Sequence, residues 1–427
     1  MDEIRRAQIE KLRANFPEGT LLDEELVPEY TLPDPLICAD GTPVADAADW
    51  FARRRPEIMA LFEEHMFGRS PEPPAGMRFE VRGVDRGALG GRATRKEVRI
   101  YLTEAEHPRI DLLLYVPNGV SRKPATWVGL NLLGNQSIVD DPGVTLYDGW
   151  VPDLSRLGMS GAVVNNRATD ASRATWLWSM PVERILAKGQ AVATACCSDI
   201  APDLPDVFEH GVFSAYLRHG EAPAADEWGV LAAWAWGMCR MLDYLVTDPD
   251  VDPARVIAHG TSRLGKAALW AGALDERWWM ISPNESGCGG AALSRRRYGE
   301  TVARINTTFP NWFCKAFHAY NDKEDALPFD QHMLIALSAP RPIYIASGED
   351  DLWEDPRGEF LGAQGADPVY RLLGTDGLVG ADGEPVVAMP AVHAPLHGTL
   401  AYHVRSGGHG VNEWDWDQFL AYAAARL

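Results

Sequence analysis

The feature of this chain best suited to chemistry is a serine that stands between two glycines. Residues 260–266 are Gly-Thr-Ser-Arg-Leu-Gly-Lys; they follow the apolar run 255–259, which predicts a buried strand, and lead into residues 266–274, which predict a helix. A serine on such a tight turn is a nucleophile elbow, where glycines let strand and helix approach closely. Unpaired N–H groups at the helix start would face a developing oxyanion. The spacing therefore predicts Ser262 as a nucleophile; the alternative is a serine that caps the helix.

An acid and a histidine follow this serine at the ends of further predicted strands. Glu285 lies just past the apolar run 279–282, and His409 follows the strand-like residues 400–405. A serine hydroxyl is a weak nucleophile until a base takes its proton, and a third group must orient that base. The order serine, acid, histidine is the chain order of α/β-hydrolase triads. Open α/β sheets place their sites at the carboxyl ends of strands, so these side chains are expected to meet there.

Short apolar runs alternate with helical stretches over most of the chain. Alternating patterns before residue 130 predict antiparallel strands, and the later alternation predicts an α/β three-layer sandwich, with a mostly parallel central sheet and helices on both faces. We predict an N-terminal arm and helix over residues 1–70, packed on the main body. A single catalytic domain is predicted over residues 71–427, with a loop insertion at about 362–394. The buried strands are predicted at residues 127–132, 191–195, 256–258, 279–282, 343–346 and 402–404.

The motifs together resemble those of the glucuronoyl esterases, carbohydrate esterase family 15, in its bacterial type. Residues 260–266 are similar to the family signature Gly-Cys-Ser-Arg-x-Gly-Lys, and the similar region spans roughly residues 90–425. The resemblance implies an α/β-hydrolase fold. It also implies a serine esterase that cleaves, through an acyl-enzyme on Ser262, the ester between 4-O-methyl-glucuronic acid side groups of xylan and lignin alcohols. Further similar segments are residues 129–135, 234–237, 285–290 and 351–356.

The resemblance implies roles for four more residues. Arg263 would help to bind the oxyanion, for which its permanent charge is suited. Lys266 would bind sugar hydroxyls. Glu300 and Trp353 would contact the uronic acid, since an indole offers a flat face to a sugar ring. Each has a structural alternative: a surface arginine, a solvated helix lysine, a salt-bridged glutamate, and one packing residue among fifteen tryptophans.

Two acids compete for the position that orients His409. Glu285 matches the usual family position, and Asp351 matches a second position, after a later strand, where some bacterial members have an acid. Glu285 is the preferred assignment and Asp351 is the alternative. A role shared by the two carboxylates is a further alternative, because both would stabilise a nearby imidazolium.

The chain departs from the family in two linked places. Fungal-type members have a cysteine before the serine and another after the histidine, joined by a disulfide, whereas this chain has Thr261 and Gly410 there. The whole bridge is missing, which leaves the triad intact but does not support a fungal-like extracellular setting. No Cys-x-x-Cys pair occurs, so no zinc cluster is expected. Buried free thiols are predicted for Cys38, Cys196, Cys197, Cys239, Cys288 and Cys314.

No cofactor and no metal are expected. His393 and His397 have the spacing of a metal-binding pair on a helix, but Pro395 between them argues against that helix. Residues 287–292 formally fit a dinucleotide-binding motif, yet no acid stands at a strand end about 20 residues further on.

The charge and hydropathy of the chain limit its partners. The 40 basic and 60 acidic residues give a net charge of −20, which repels phosphate backbones, so nucleic acid is not expected as a partner. No apolar stretch reaches the roughly 20 residues of a membrane span. Residues 1–6 lack the pattern of a signal peptide, which indicates a cytoplasmic protein, or a periplasmic or secreted one if a leader was removed. We expect a monomer that acts on a glucuronate ester of xylan or of a lignin–carbohydrate complex.

Two other functions are compatible with these patterns. One is a related carbohydrate esterase, such as an acetylxylan esterase. The other is a non-catalytic hydrolase-fold protein that binds carbohydrate. The joint presence of Ser262, Glu285 and His409 argues against the second, because binding alone requires none of the three.

Overall fold

A twisted sheet of ten strands forms the centre of the computed structural model, which describes residues 9–155, 159–217 and 223–427. The strand order is β1-β2-β3-β7-β4-β8-β9-β10-β12-β11, and β5 and β6 form a separate pair. The pairs β7–β4, β4–β8, β8–β9, β9–β10 and β10–β12 are parallel. The strands are β1 (Arg78–Gly87), β2 (Ala93–Tyr101), β3 (Arg109–Pro117), β4 (Thr126–Asn131), β5 (Val163–Val164), β6 (Arg167–Ala168), β7 (Ala191–Cys196), β8 (Val256–Thr261), β9 (Met280–Asn284), β10 (Ile343–Gly348), β11 (Leu396–His397) and β12 (Leu400–Arg405).

Helices cover both faces of this sheet. Neighbouring residues of β4 show this, because Trp127 and Val128 point to opposite faces and belong to two different apolar clusters. The cluster of Val128 includes residues of the helices Val230–Leu245 and Arg263–Leu274, and the cluster of Trp127 includes residues of Glu413–Ala424. The predicted three-layer architecture, the antiparallel first strands and the six buried strands are confirmed. Within the described ranges, the other helices of six or more residues are Arg55–Phe62, Val182–Ala187, Val302–Thr308, Gln331–Ala336 and Pro356–Leu372, with the 3-10 helix Lys315–Tyr320.

The N-terminal part of the chain lies against the main body. Helical turns run from Ala47 to Phe67, with π-helical stretches at Trp50–Arg54 and Glu63–Phe67, and bury apolar side chains in the core of the sheet. The first eight residues of the predicted arm, which include the segment judged for a signal peptide, lie outside the described residues. The boundary at residue 70 stays a prediction. None of the helices in the described ranges has the length and apolarity to cross a membrane.

The loop insertion predicted at 362–394 is wrong in its first part. The helix Pro356–Leu372 occupies that part, and irregular chain follows up to β11. Phe360, Ala363 and Tyr370 are buried on one side of this helix, so packing against the core stabilises it. The abundant glycines of the segment had indicated a loop instead. The remaining loop is shorter than predicted.

Candidate active site

The turn after β8 is a nucleophile elbow. Ser262 has φ 60° and ψ −129°, a conformation that is costly for a residue with a Cβ atom and that persists only where the surroundings enforce it. The N–H of Ser262 donates to Asn284 O at 2.9 Å, and its carbonyl accepts from the N–H of Gly265 at 2.8 Å. The hydroxyl makes no capping hydrogen bond to the helix Arg263–Leu274. The serine therefore does not serve as a helix cap.

This turn requires glycine at two positions, because other backbone atoms approach both residues closely. A Cβ atom at Gly260 would lie 2.1 Å from Leu264 O, which is shorter than any real contact. A Cβ atom at Gly265 would lie 3.0 Å from both Asn284 O and Gly260 O. The glycines thus let the helix start directly against β8 and β9, as the sequence predicted.

His409 lies beside the acid that the sequence ranked second. Its Nδ1 atom is 2.6 Å from Oδ2 of Asp351 and 3.5 Å from Oε2 of Glu285. An Nδ1–H donated to Asp351 leaves Nε2 as the nitrogen that can take a proton. Asp351 follows the end of β10, and His409 follows β12. The geometry therefore reverses the sequence-based order of preference between the two acids.

Glu285 is engaged by other groups. Its Oε1 accepts from Nη2 of Arg405 at 2.8 Å, and its Oε2 accepts from the N–H of Gly410 in a short hydrogen bond. Burial and the neighbouring charge of Asp351 raise the pKa of Glu285 well above its usual range. Glu285 thus forms a hydrogen bond with the backbone of the loop that carries His409, whereas the imidazole itself lies further away, at 3.5 Å.

The histidine is electrostatically biased toward its charged form. Burial opposes that form, but the hydrogen bond and the charge of Asp351, together with the charges of Glu354 and Glu285, raise the pKa of His409 to about 9. The side chain keeps 45% of its surface exposed on the cleft. Such an imidazole binds a proton strongly once it has accepted one, which suits a base that must then act as an acid.

Ser262 and His409 line one cleft of about 490 Å³. The cleft also has an aromatic wall, formed by Trp150, Trp176 and Trp178. The rings of Trp176 and Trp178 lie 4.6 Å apart, and Trp178 is 41% exposed. The sequence analysis did not single out these tryptophans. The spacing Trp-x-Trp at 176–178 was the available signal, but nothing local showed that this segment returns to the serine.

Arg263 lines the cleft and is held by an acid that the sequence analysis missed. Its Nη1 lies 2.8 Å from Oδ2 of Asp203, and Trp312 Nε1 donates to the same carboxylate at 2.9 Å. The guanidinium carbon stands 4.7 Å from the centre of the Trp312 ring. Asp203 is far from Arg263 in sequence, so no spacing pointed to the pair.

Lys266 is a buried ion-pair partner. Its Nζ lies 3.2 Å from Oε2 of Glu354. Burial lowers the pKa of Lys266, but the charges of Glu354 and Glu300 outweigh this and raise it. Burial raises the pKa of Glu300 to about 7, against the charge of Lys266. The structure thus brings Lys266 and Glu300 together with Glu354, another acid that the sequence analysis did not select.

The backbone of Trp353 contacts the charged cluster of Lys266, Glu300 and Glu354. Its carbonyl accepts from the N–H of Glu300 at 2.9 Å. Its ring is stacked on Phe16 of the N-terminal arm, with centroids 5.8 Å apart and planes within 2°. Lys266, Glu300 and Trp353 are not among the residues that line the aromatic cleft. They form a separate charged cluster, called the polar side, in which Lys266 and Glu300 are buried.

One group of side chains has the composition of a metal site. Among the described residues, Glu285, Asp351 and His409 place ligand atoms within 4.8 Å of one another. Arg405 lies against Glu285, and a fixed positive charge there disfavours a cation. His393 and His397 belong to no group of three or more metal-binding side chains within the described ranges. All six cysteines are buried and free, as predicted.

The mostly parallel sheet, its two helical layers and the serine elbow at its carboxyl edge define an α/β hydrolase. A family model described as "Glucuronyl esterase, fungi" matches residues 212–374. Carbohydrate esterase MZ0003, from an unknown prokaryotic organism, is 46% identical over 95% of this chain and 92% of its own. The chain belongs to carbohydrate esterase family 15, the glucuronoyl esterases, and is a carboxylic ester hydrolase.

Two further relatives agree with this assignment. The structure of a glucuronoyl esterase from Solibacter usitatus superimposes with a TM-score of 0.86, at 43% identity over 94% of this chain and 99% of that one. The 4-O-methyl-glucuronoyl methylesterase of Schizophyllum commune is 28% identical over 80% of this chain and 74% of its own. The resemblance stated from the sequence motifs is thereby confirmed.

Proposed function

We propose that this chain is a serine esterase that cleaves esters between 4-O-methyl-glucuronic acid side groups of xylan and lignin alcohols, through an acyl-enzyme on Ser262. The 2.6 Å contact between His409 and Asp351, at a cleft that Ser262 also lines, is the observation that supports this most directly. The names of the relatives point to the same acyl group.

In the proposed acylation step, Ser262, His409 and Asp351 have different roles. His409 Nε2 takes the proton of Ser262 Oγ while Oγ bonds to the ester carbonyl carbon, and the carbonyl oxygen becomes an oxyanion. When the C–O bond to the alcohol breaks, His409 returns the proton to the leaving oxygen. Water then attacks the acyl-enzyme by the same route and releases the uronic acid. Asp351 keeps the imidazole in one tautomer and stabilises its charged form throughout.

Arg263 supplies a preorganised charge for the oxyanion. Asp203 and Trp312 fix its guanidinium at the cleft before substrate binds. A donor that needs no reorganisation during the reaction stabilises the transition state more than the neutral ester. The helix Arg263–Leu274 begins directly after Ser262, so the N–H groups at its start are further candidate donors to the oxyanion.

The two sides of the site fit the two parts of the ester. On the polar side, Lys266, Glu300 and Trp353 offer charged and flat groups to the hydroxyls and ring of the uronic acid. On the aromatic side, Trp176 and Trp178 offer apolar ring faces to the alcohol. An aromatic alcohol therefore fits this cleft better than a small one.

A substrate comparison tests the proposal. We expect hydrolysis of benzyl glucuronate, slower hydrolysis of methyl glucuronate, and less still of the corresponding galacturonate ester and of acetylated xylan. Preferred release of acetate would instead assign the chain as an acetylxylan esterase. Saturable binding of glucuronoxylan without hydrolysis of any ester would assign a carbohydrate-binding protein and contradict the proposal.

A further inference from the structure

The loop that carries His409 has little conformational restriction of its own. Residues 406–410 contain three glycines, and two of them, Gly407 and Gly410, have positive φ values of 96° and 127°. Glycine has more backbone conformations to lose than any other residue. A catalytic imidazole on such a loop needs external groups that fix the backbone.

Arg405, the last residue of β12, is bonded to both ends of this loop. Its Nη1 donates to the carbonyl oxygens of Ser406 at 3.0 Å and of Gly408 at 2.9 Å, and its Nη2 donates to that of Gly410 at 2.5 Å. The backbone of the loop therefore wraps around one guanidinium. The rigid planar fork of arginine sets the directions of these bonds together, which a lysine ammonium does not do.

Two buried carboxylates fix the guanidinium in turn. Arg405 Nε donates to Asp415 at 2.8 Å, and Nη2 donates to Glu285 at 2.8 Å. Asp415 belongs to the helix Glu413–Ala424, and Glu285 directly follows β9. Arg405 itself is 4% exposed. Through Arg405, the loop is therefore held in a fixed position relative to the sheet and to the helix Glu413–Ala424.

The far end of the loop is tied to the serine elbow by Asn284. Its Nδ2 atom lies 3.1 Å from Gly410 O and 3.5 Å from Thr261 Oγ1. Glu285 adds the hydrogen bond from the Gly410 N–H. Thr261 precedes Ser262, so these contacts link the backbone beside the nucleophile to the backbone beside the base.

We propose that Arg405, with Asn284 and Glu285, is the positioning device that fixes the histidine loop and sets His409 between Asp351 and Ser262. This assignment rests on the proposed triad. Arg405 acts as a positioning residue and contacts neither substrate nor reacting atoms. In this chain a noncovalent clamp thus connects the two positions, 261 and 410, that lack cysteines.

The test is the variant Arg405→Lys, compared with Arg341→Lys. Arg341 also donates to several backbone carbonyls, those of Ser338, Asp275 and Gly272, but these lie away from the cleft. Both variants are expected to unfold at lower temperature. At 25 °C, Arg405→Lys should lower kcat on benzyl glucuronate about a hundred-fold, because small displacements of a catalytic group have effects of this size. KM should change by less than about twofold, and Arg341→Lys should keep the wild-type kcat.

Hydrogen exchange and a second variant make the test independent of folding. The amides of residues 406–410 should exchange faster in Arg405→Lys than in Arg341→Lys. Asn284→Ala removes only the link to the elbow and should lower kcat about tenfold, with faster exchange at Gly410. Equal kcat values for Arg405→Lys and Arg341→Lys would overturn the inference. If Arg405→Lys does not fold, wild-type kcat and exchange in Asn284→Ala would overturn it.

These outcomes are distinct from a failure of the proposed function. If Ser262→Ala keeps its activity, the triad itself is refuted. If Ser262→Ala is inactive while Arg405→Lys and Asn284→Ala are fully active, the triad stands and the clamp alone is refuted.

Discussion

Asp351 makes the hydrogen bond to His409, with 2.6 Å between Oδ2 and Nδ1. Glu285, at 3.5 Å from the same nitrogen, is already bonded to Arg405 and to the Gly410 N–H. In the proposed triad, Asp351, which follows β10, is therefore the residue that orients the imidazole. Glu285, which follows β9, contacts the histidine loop through the Gly410 N–H.

This relationship predicts unequal effects of two isosteric changes. Asp351→Asn should lower kcat about ten-thousand-fold, because an amide at this place no longer favours the working tautomer or the imidazolium. Glu285→Gln should lower kcat much less, since an amide still pairs with Arg405. Steady-state kinetics on benzyl glucuronate measures both. A larger loss in Glu285→Gln would return the orienting role to Glu285.

The pH dependence follows from the raised pKa of His409, about 9 against an ordinary 6.5. In the proposed mechanism the neutral imidazole is the active base, so kcat/KM should rise with pH through a midpoint near 9. Asp351→Asn removes the group that stabilises the charged form, and the residual activity should therefore show a lower midpoint. An identical midpoint in the variant and the wild type would contradict this account.

The same shift predicts how stability varies with pH. The folded protein binds the His409 proton more tightly than the unfolded chain, so the stabilisation is complete below pH 6.5 and is lost as pH rises through about 9. Asp351→Asn should reduce this loss. Thermal unfolding of both proteins between these two pH values measures it.

Replacement of the nucleophile should abolish activity without disturbing the fold. Ser262→Ala is expected to lower kcat about a million-fold, the scale known for a lost serine nucleophile. The backbone strain at φ 60° is the same for both residues, so the unfolding temperature should change little. Ser121→Ala, on the exposed surface, is the control. Activity of Ser262→Ala within about tenfold of wild type would remove this serine from the mechanism.

Arg263→Ala should destabilise the transition state more than the bound ester. We expect kcat to fall about a hundred-fold or more, the scale of one oxyanion donor, with a smaller change in KM. Asp203→Asn should give a partial loss of kcat, because the guanidinium loses its charged anchor. A pure KM effect in Arg263→Ala would show that this arginine binds the sugar and that N–H groups alone bind the oxyanion.

The aromatic wall predicts a change of selectivity. Trp178→Ala should raise KM for benzyl glucuronate about tenfold, equivalent to about 1.4 kcal/mol, and leave KM for methyl glucuronate nearly unchanged. Trp353→Ala, on the polar side, should weaken the binding of both esters to the same extent. Equal effects of Trp178→Ala on the two esters would show that the alcohol does not contact this wall.

The sequence by itself determined the elbow and the strands around it. The glycines at 260 and 265 and the apolar run between 255 and 259 are local patterns, set by short-range sterics and periodicity, and the chain order of serine, acid and histidine is read directly from the sequence. The resemblance of the motifs then sufficed to identify the family.

Tertiary structure alone decided which side chains meet. Asp351 and Glu285 stand at equivalent strand ends, so only the path of the loop after β12 could choose between them. Asp203, which contacts Arg263, Glu354, which contacts Lys266, and the tryptophans that line the cleft with Ser262 all come from distant segments. The helix Pro356–Leu372 was missed because burial of one side, rather than local propensity, stabilises it. Contacts between side chains from distant segments depend on packing across the whole sheet, so they cannot be predicted from local sequence patterns.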